Sequence, residues 1–185
     1  MKKILFLFLV CNTAIFAQTN SKIYTENDKI EVETLVKEFN IVLEKYYPNQ
    51  KLGIAYKMFL SDLNQKKVNP AIIKEENTLN SFLQFKKSPT FYKIWMKDKA
   101  NEARVNAINY QSGFYKSIVD NCKDKSLQKI MAESGKTFVA IPDLDPFMAV
   151  EMYVETLKDT DYDLEIIQNL ICITFYYDIM EQFSK

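Results

Sequence analysis

The sequence predicts an all-α protein, a single-domain bundle of about six to eight helices, and three observations support this fold class. Apolar residues recur at helical spacing along most of the chain, and most strongly in the last stretch, residues 161–183. Three segments open with Asn, Ser or Asp before proline, at Asn69, Ser88 and Asp145, which is a typical helix start. The 185 residues include only three glycines, too few for the tight turns of an all-β fold.

The first 17 residues have the pattern of a secretory signal peptide. Lys2 and Lys3 supply the charged start, residues 4–10 the apolar core, and Ala17 a small residue at a cleavage point. The apolar core is too short to anchor the chain in a membrane. Cys11 leaves open a lipoprotein alternative, although the residue before it is not small. We expect cleavage after Ala17 and a periplasmic or secreted protein.

The mature chain, residues 18–185, contains no low-complexity linker, so we expect one helical domain. Thr25 and Asp28 can form a capping box at the first helix, and Pro48 ends that helix. Polar residues in the middle of the third segment favour a break there. The segments with helical spacing or cap signals are 27–47, 50–67, 71–87, 88–122 with a bend or split near Asn101, 126–134, 145–158 and 161–183.

One segment departs from the helical pattern. Residues 137–141 are a run of β-prone and apolar residues that Pro142 closes. Gly135, just before this run, stands where a glycine commonly caps the end of a helix. The sequence therefore predicts one short extended segment near 137–141.

The last segment, residues 161–183, is the most apolar helix of the chain. Leu170 and Ile171 lie at the centre of its apolar stripe, and further apolar residues widen the stripe. A helix this apolar is packed on several sides, so we expect it to be the central helix of the bundle. Polar residues such as Glu165 and Asp178 interrupt the apolar run, so this segment is not predicted to span a membrane.

Composition excludes several chemistries. The chain contains no histidine, which excludes Ser-His-Asp and Cys-His catalysis and histidine-ligated metal sites. The mature chain carries 22 basic and 24 acidic residues, because Lys2 and Lys3 leave with the signal peptide. A slightly acidic domain is a poor match for a nucleic-acid-binding protein. The sequence indicates no cofactor.

Charge is unevenly distributed along the mature chain. Residues 86–136 carry eleven basic and five acidic groups, whereas residues 137–185 carry two basic and ten acidic groups. In one interpretation the two segments pack side by side and neutralise each other. In the other they form opposed surface patches that steer a charged partner.

The candidate binding residues form an acidic patch: Asp143, Asp145, Glu151 and Glu155. Asp143 and Asp145 stand at a predicted helix start, where the helix dipole favours negative charge. Glu151 and Glu155 lie mid-helix and repel each other at i,i+4 spacing. Their repulsion predicts either lysines from residues 86–136 alongside or a cationic partner.

Asp159, Asp161 and Asp163 alternate as the first ligands of a calcium loop do. The glycine of that loop's sharp turn and its distant bidentate glutamate are missing. The other interpretation is that these acids favour the positive end of the last helix's dipole. They remain weak metal candidates.

The mature chain contains two cysteines, Cys122 and Cys172. In an oxidising compartment two cysteines suggest a disulfide. Cys172 lies between two isoleucines, however, where a thiol packs as a small hydrophobic group. This context favours buried free thiols.

Three function hypotheses remain. The leading one is a protein that binds a macromolecular partner, as inhibitor, immunity or accessory proteins do, since the chain has an export signal and no catalytic constellation. The alternative is a hydrolase of glycosidase type that uses two carboxylates, with Glu151 and Glu155 as a poor candidate pair. The third is a calcium-dependent binding module.

Overall fold

A computed structural model describes residues 24–97, 106–141 and 146–183. The predicted all-α class is confirmed, because helices form the domain and the strands seen in these ranges make one small two-stranded sheet. Eight helices precede the C-terminal stretch: α1 (Glu26–Tyr46), α2 (Leu52–Asn64), α3 (Pro70–Ile73), α4 (Glu76–Phe85), α5 (Phe91–Ile94), α6 (Gly113–Asn121), α7 (Lys125–Ala140) and α8 (Pro146–Thr156).

The C-terminal helix lies at the centre of the bundle, as predicted. It runs through α9 (Glu165–Ile171), a π-helical segment (Cys172–Tyr177) and α10 (Asp178–Phe183). Every residue of the π-helical segment is buried, and the helix contacts α1, α2, α6 and the sheet. Within the described ranges, none of the helices is both long and apolar enough to cross a bilayer.

The π-helical segment places two tyrosine hydroxyls against backbone carbonyls inside the core. Tyr176 donates to the carbonyl of Ile72 at 3.0 Å and shares a 2.7 Å hydrogen bond with Thr78. Tyr177 donates to the carbonyl of Leu35, in the middle of α1, at 2.9 Å. Buried hydroxyl groups need such partners, so these bonds fix the C-terminal helix against α1 and the α3–α4 region.

The first helix begins as the sequence predicts. Thr25 is the N-cap of α1, and the main-chain N–H of Thr25 donates to the carboxylate of Asp28 at 2.5 Å. The N–H of Asp28 donates back to the Thr25 hydroxyl at 3.4 Å. The predicted capping box is therefore confirmed.

The predicted long helix over residues 88–122 is wrong. The chain instead forms the one-turn helix α5, a β-hairpin and α6. The strands β1 (Trp95–Lys97) and β2 (Asn106–Ile108) pair antiparallel, with Trp95 opposite Ile108. Both of these residues are buried, and the Trp95 ring stacks on Phe91 at 5.1 Å. Asn101, the predicted site of a bend or split, lies outside the described residues.

The predicted extended segment near 137–141 is also wrong, because α7 continues as a helix to Ala140. Gly135 is not a cap but an interior residue of α7, where a Cβ would collide with the ring of Tyr115. Phe138 stacks on Tyr110 at 4.7 Å. Packing of α7 on the α6 region therefore overrides the β propensity of the run.

Candidate functional site

The helix α8 presents one buried and one exposed face. Ala149, Val150 and Tyr153 are buried, and the helix packs on α2. Met148, Glu151 and Glu155 recur at spacings of three and four residues, so they share the opposite side, which we call the α8 face. Both glutamates are exposed, and Met148 retains 54% of its accessible surface. A large apolar side chain thus stands beside two carboxylates at the surface.

Neither glutamate of the α8 face is neutralised within the described part of the chain. No ion pair or side-chain hydrogen bond joins Glu151 or Glu155 to another described residue. The other two residues of the predicted acidic patch, Asp143 and Asp145, lie outside the described residues. The structure therefore places two of the four candidates together on one exposed face.

The basic and acidic segments of the sequence make little direct contact through ion pairs. Between described residues of 86–136 and 137–185, the ion pair observed is that of Lys86 with Glu181, at 2.6 Å. Lys93 pairs instead with Asp28 of α1, and Lys136 with its helix neighbour Glu133. In the described residues, the lysines of the basic segment thus form no ion pair with Glu151 or Glu155.

Asp159, Asp161 and Asp163, the weak metal candidates, make structural contacts within the fold. They form a 3₁₀ helix (Asp159–Asp163) that packs on α2. Asp159 pairs with Lys57 at 2.7 Å, and Asp161 accepts a 2.8 Å hydrogen bond from the N–H of Lys158. Asp163 lies so close to Gly53 that a Cβ there would collide with its carboxylate. In the described ranges, no three carboxylate or thiol groups are grouped as metal ligands.

Sequence analysis predicted Asp28 as part of the capping box but missed its buried contacts with Thr90 and Lys93. The residue is 3% exposed and accepts hydrogen bonds from the Thr90 hydroxyl at 2.7 Å and from Lys93 at 2.8 Å. Burial pushes the pKa of Asp28 up, but the bonds from Lys93, Thr25 and Thr90 outweigh it and hold the pKa at about 2. No local signal predicts this pairing, because Lys93 lies 65 residues away in the sequence.

A second buried carboxylate, Glu181, lies near the end of the C-terminal helix. The ammonium group of Lys86 is 2.6 Å from one oxygen, and the amide of Asn106 in β2 donates to the other at 2.7 Å. One turn earlier, the indole N–H of Trp95 donates to Asp178 at 3.3 Å. These contacts connect the hairpin to the central helix.

These arrangements give little support to the carboxylate-hydrolase alternative. A glycosidase needs two carboxyl groups across a cleft, one of them able to carry a proton at working pH. The buried carboxylates of Asp28 and Glu181 are each held by a lysine instead. Glu151 and Glu155 share one exposed helix face rather than opposing each other.

A groove of about 900 Å³ opens between the start of α1, the end of α6 and the start of the C-terminal helix. We call it the N-terminal groove. Tyr24 and Phe114 form one apolar wall, with their rings 5.7 Å apart edge to face. The charged groups on its rim are four acids and two lysines: Glu26, Asp124, Asp161, Glu165, Lys29 and Lys123.

The two cysteines of the described residues, Cys122 and Cys172, are free, buried thiols. Cys122 lines the N-terminal groove and donates to the carbonyl of Asp124 at 3.4 Å, while Cys172 lies inside the π-helical segment. Burial raises the pKa of each thiol. The two thiols are therefore not joined to each other in this structure.

Comparison with known proteins gives no relative from which a function could be transferred. The chain matches no protein-family model, and no curated protein or solved structure is significantly similar to it.

Proposed function

We propose that the chain is an exported helical protein that binds a cationic macromolecular partner through the α8 face, in the manner of an inhibitor, immunity or accessory protein. The observation that carries the proposal is that Glu151 and Glu155 are exposed and one turn apart. Neither forms an ion pair or a side-chain hydrogen bond with another described residue. Like charges at this spacing oppose helix formation by a few tenths of a kcal/mol. A partner's lysine or arginine side chains would turn this repulsion into attraction.

The apolar part of the α8 face fits the same proposal. Met148 is exposed and lies one turn from Glu151. Protein interfaces are enriched in methionine and arginine, and a flexible thioether adapts to an irregular partner surface. Met148 would supply the apolar contact, while the two carboxylates would speed encounter with a basic partner and select it.

Reversing both charges of the α8 face tests this proposal. We expect Glu151→Lys with Glu155→Lys to change the free energy of unfolding by less than about 1 kcal/mol, because both side chains are exposed and unpaired. Affinity for a partner isolated from the exported fraction should fall at least about tenfold, as expected when attraction between charges becomes repulsion. Titrations at low and high salt should show the wild-type affinity weakening as ionic strength rises.

The matched control is Glu44→Lys, an exposed glutamate of α1 that has no ion pair in the described residues. This variant should bind as the wild type does. Unfolding of the double variant in the absence of any partner would show that the two carboxylates serve internal pairing, and the proposed interface would be wrong.

The export part of the proposal has its own test. We expect the protein in its native cell to lack the first 17 residues, because the charged start and short apolar core are typical of a cleaved signal. Intact-mass measurement of the native protein reads the cleavage site directly. A full-length cytoplasmic species would contradict export without affecting the argument about the α8 face.

A further inference from the structure

We propose that a cleft between α6 and α7 binds a small aryl carboxylate, an aromatic ring that carries one carboxylate group on a short chain. The cleft has a volume of about 400 Å³ and is lined by residues of both helices and of the turn before α6. We call it the α6–α7 cleft. It shares no lining residue with the α8 face, so this inference does not depend on the proposed partner.

Two tyrosine rings form an apolar corner in the cleft. The rings of Tyr110 and Tyr115 both line it, with their centroids 5.0 Å apart and their planes at 79°. The ring of Tyr115 lies directly against the backbone of α7, because Gly135 has no side chain to hold it away. Aromatic rings prefer edge-to-face or offset stacked contacts, so a ligand ring can meet one tyrosine by its edge and the other by its face.

Aliphatic side chains complete the apolar lining. Val119 of α6 is partly buried, whereas Val139 of α7 retains 44% of its accessible surface. A volume of about 400 Å³ lies near the lower end of the range for small-molecule pockets, which are mainly apolar and aromatic with a few polar groups. The cleft therefore suits a ligand with a single aromatic ring.

One lysine stands on each helix of the cleft. Lys116 of α6 is exposed and forms no ion pair in the described residues. Lys136 of α7 pairs with Glu133 at 2.9 Å, but both side chains are more than half exposed. Such a surface pair contributes little, so the ammonium group of Lys136 can turn to a ligand. Asp120 also lines the cleft, and two lysines with one aspartate give the lining a net charge of +1.

The surrounding helices reinforce this positive charge. Residues 113–140, which include α6 and α7, carry five lysines and three acids. Two of these acids already have contacts, since Asp124 caps α7 and Glu133 pairs with Lys136. The summed field therefore favours an anionic ligand over a neutral or a cationic one.

Chemical-shift titration of the ¹⁵N-labelled protein with four probes tests the proposal. The probes are 3-phenylpropanoate, its neutral amide, 2-phenylethylamine and acetate. We expect 3-phenylpropanoate to shift the amide signals of α6 and α7 with a Kd of about 1 mM or lower, which is reasonable for a ligand of this size. The neutral amide should bind at least about fivefold more weakly, because it loses the charge-assisted contacts with the lysines. The cationic amine and acetate, which lacks the ring, should not bind measurably.

Removing both lysines of the cleft should weaken the binding of 3-phenylpropanoate. We expect Lys116→Gln with Lys136→Gln to raise the Kd at least about fivefold. The matched control is Lys125→Gln with Lys129→Gln, which removes the same charge from residues of α7 that do not line the cleft. The control variant should bind as the wild type does.

The apolar contact has a separate test. Val139→Ser should raise the Kd for 3-phenylpropanoate about threefold, because less apolar surface is left for the ring to cover. The matched control is Ile41→Ser, at a 59% exposed isoleucine of α1, which should leave the Kd unchanged. Thermal melting should show that all these variants are folded.

An absence of shifts in α6 and α7 would overturn the proposal, as would equal affinity for 3-phenylpropanoate and its amide, or unchanged affinity in the variant without the two cleft lysines. Acetate that binds as tightly as 3-phenylpropanoate would also overturn it, because the lysines would then attract any anion. Without a probe, shifts of the cleft signals that grow with protein concentration would show that a second copy covers the cleft, which also contradicts the proposal. None of these outcomes bears on binding at the α8 face, so the two proposals fail separately.

Discussion

Replacing Leu170 with alanine should lower the free energy of unfolding by about 2–5 kcal/mol, the range observed when buried aliphatic side chains are truncated. Leu170 is fully buried in the C-terminal helix, which contacts three other helices and the sheet. Most domains have a total stability of roughly 5–15 kcal/mol, so this single change removes a large share. Urea unfolding of the wild-type and variant proteins measures this loss of stability.

The control for this prediction is Leu83→Ala in α4, where the leucine is 38% exposed. Truncating Leu83 should cost about 1 kcal/mol, less than truncating Leu170, because more than a third of the Leu83 surface is already exposed and no enclosed cavity is left. Equal effects of the two changes would show that the C-terminal helix is peripheral to the stability of the bundle.

Asp28→Asn should cost about 2–3 kcal/mol at pH 7. The pKa of Asp28 falls from its ordinary value of 3.8 to about 2 in the folded protein. Each unit of pKa difference between the folded and unfolded states corresponds to about 1.4 kcal/mol. The effect should be shared with Lys93, so Asp28→Asn combined with Lys93→Met should cost less than the sum of the single changes.

The pH dependence of this contribution has a defined sign. Because folding lowers the pKa of Asp28, its stabilisation is complete above the unfolded value of about 3.8 and is lost as the pH falls towards about 2. The wild type and Asp28→Asn should therefore differ in urea unfolding at pH 7, and the difference should shrink below pH 4 and nearly vanish at about pH 2. If the difference in the free energy of unfolding stayed constant across this pH range, the ion pair with Lys93 would not be the source of the stabilisation.

Much of the helical framework can be predicted from the sequence, because the signals involved are local. The capping box of Thr25 and Asp28 spans three residues, and its geometry follows from the helix start itself. The buried stripe of the C-terminal helix follows from spacing alone, and the fully buried Leu170 and Ile171 lie on it. A break does interrupt the third segment, but it lies at residues 74–75, whereas Asn77, Thr78 and Asn80, where it was predicted, are inside α4.

The missed features depend on contacts between distant residues. Strands of three residues such as β1 are too short to show an alternating pattern, so the hairpin could not be distinguished from a helix. Residues 137–140 are helical because α7 packs on the α6 region, which local propensity does not contain. The pairing of Asp28 with Lys93 and the N-terminal groove likewise arise only when separate helices meet.

For the α8 face, the sequence predicted the residues but not which helix packs beside them. The i,i+4 spacing of Glu151 and Glu155 predicted mutual repulsion. Whether lysines of the basic segment relieve it depends on which helix packs beside α8. In the structure α8 packs on α2, and neither glutamate forms an ion pair with another described residue.

Site-specific photocrosslinking in the native cell tests the proposed binding face most directly. A photoreactive amino acid replaces Met148 in one variant and Ile41 of α1, which is 59% exposed, in the other. We predict a crosslinked adduct with a basic protein from position 148 and none from position 41. The adduct should disappear when Glu151→Lys and Glu155→Lys are added. Equal adducts from both positions, or an adduct at 148 that survives the charge reversal, would contradict the account.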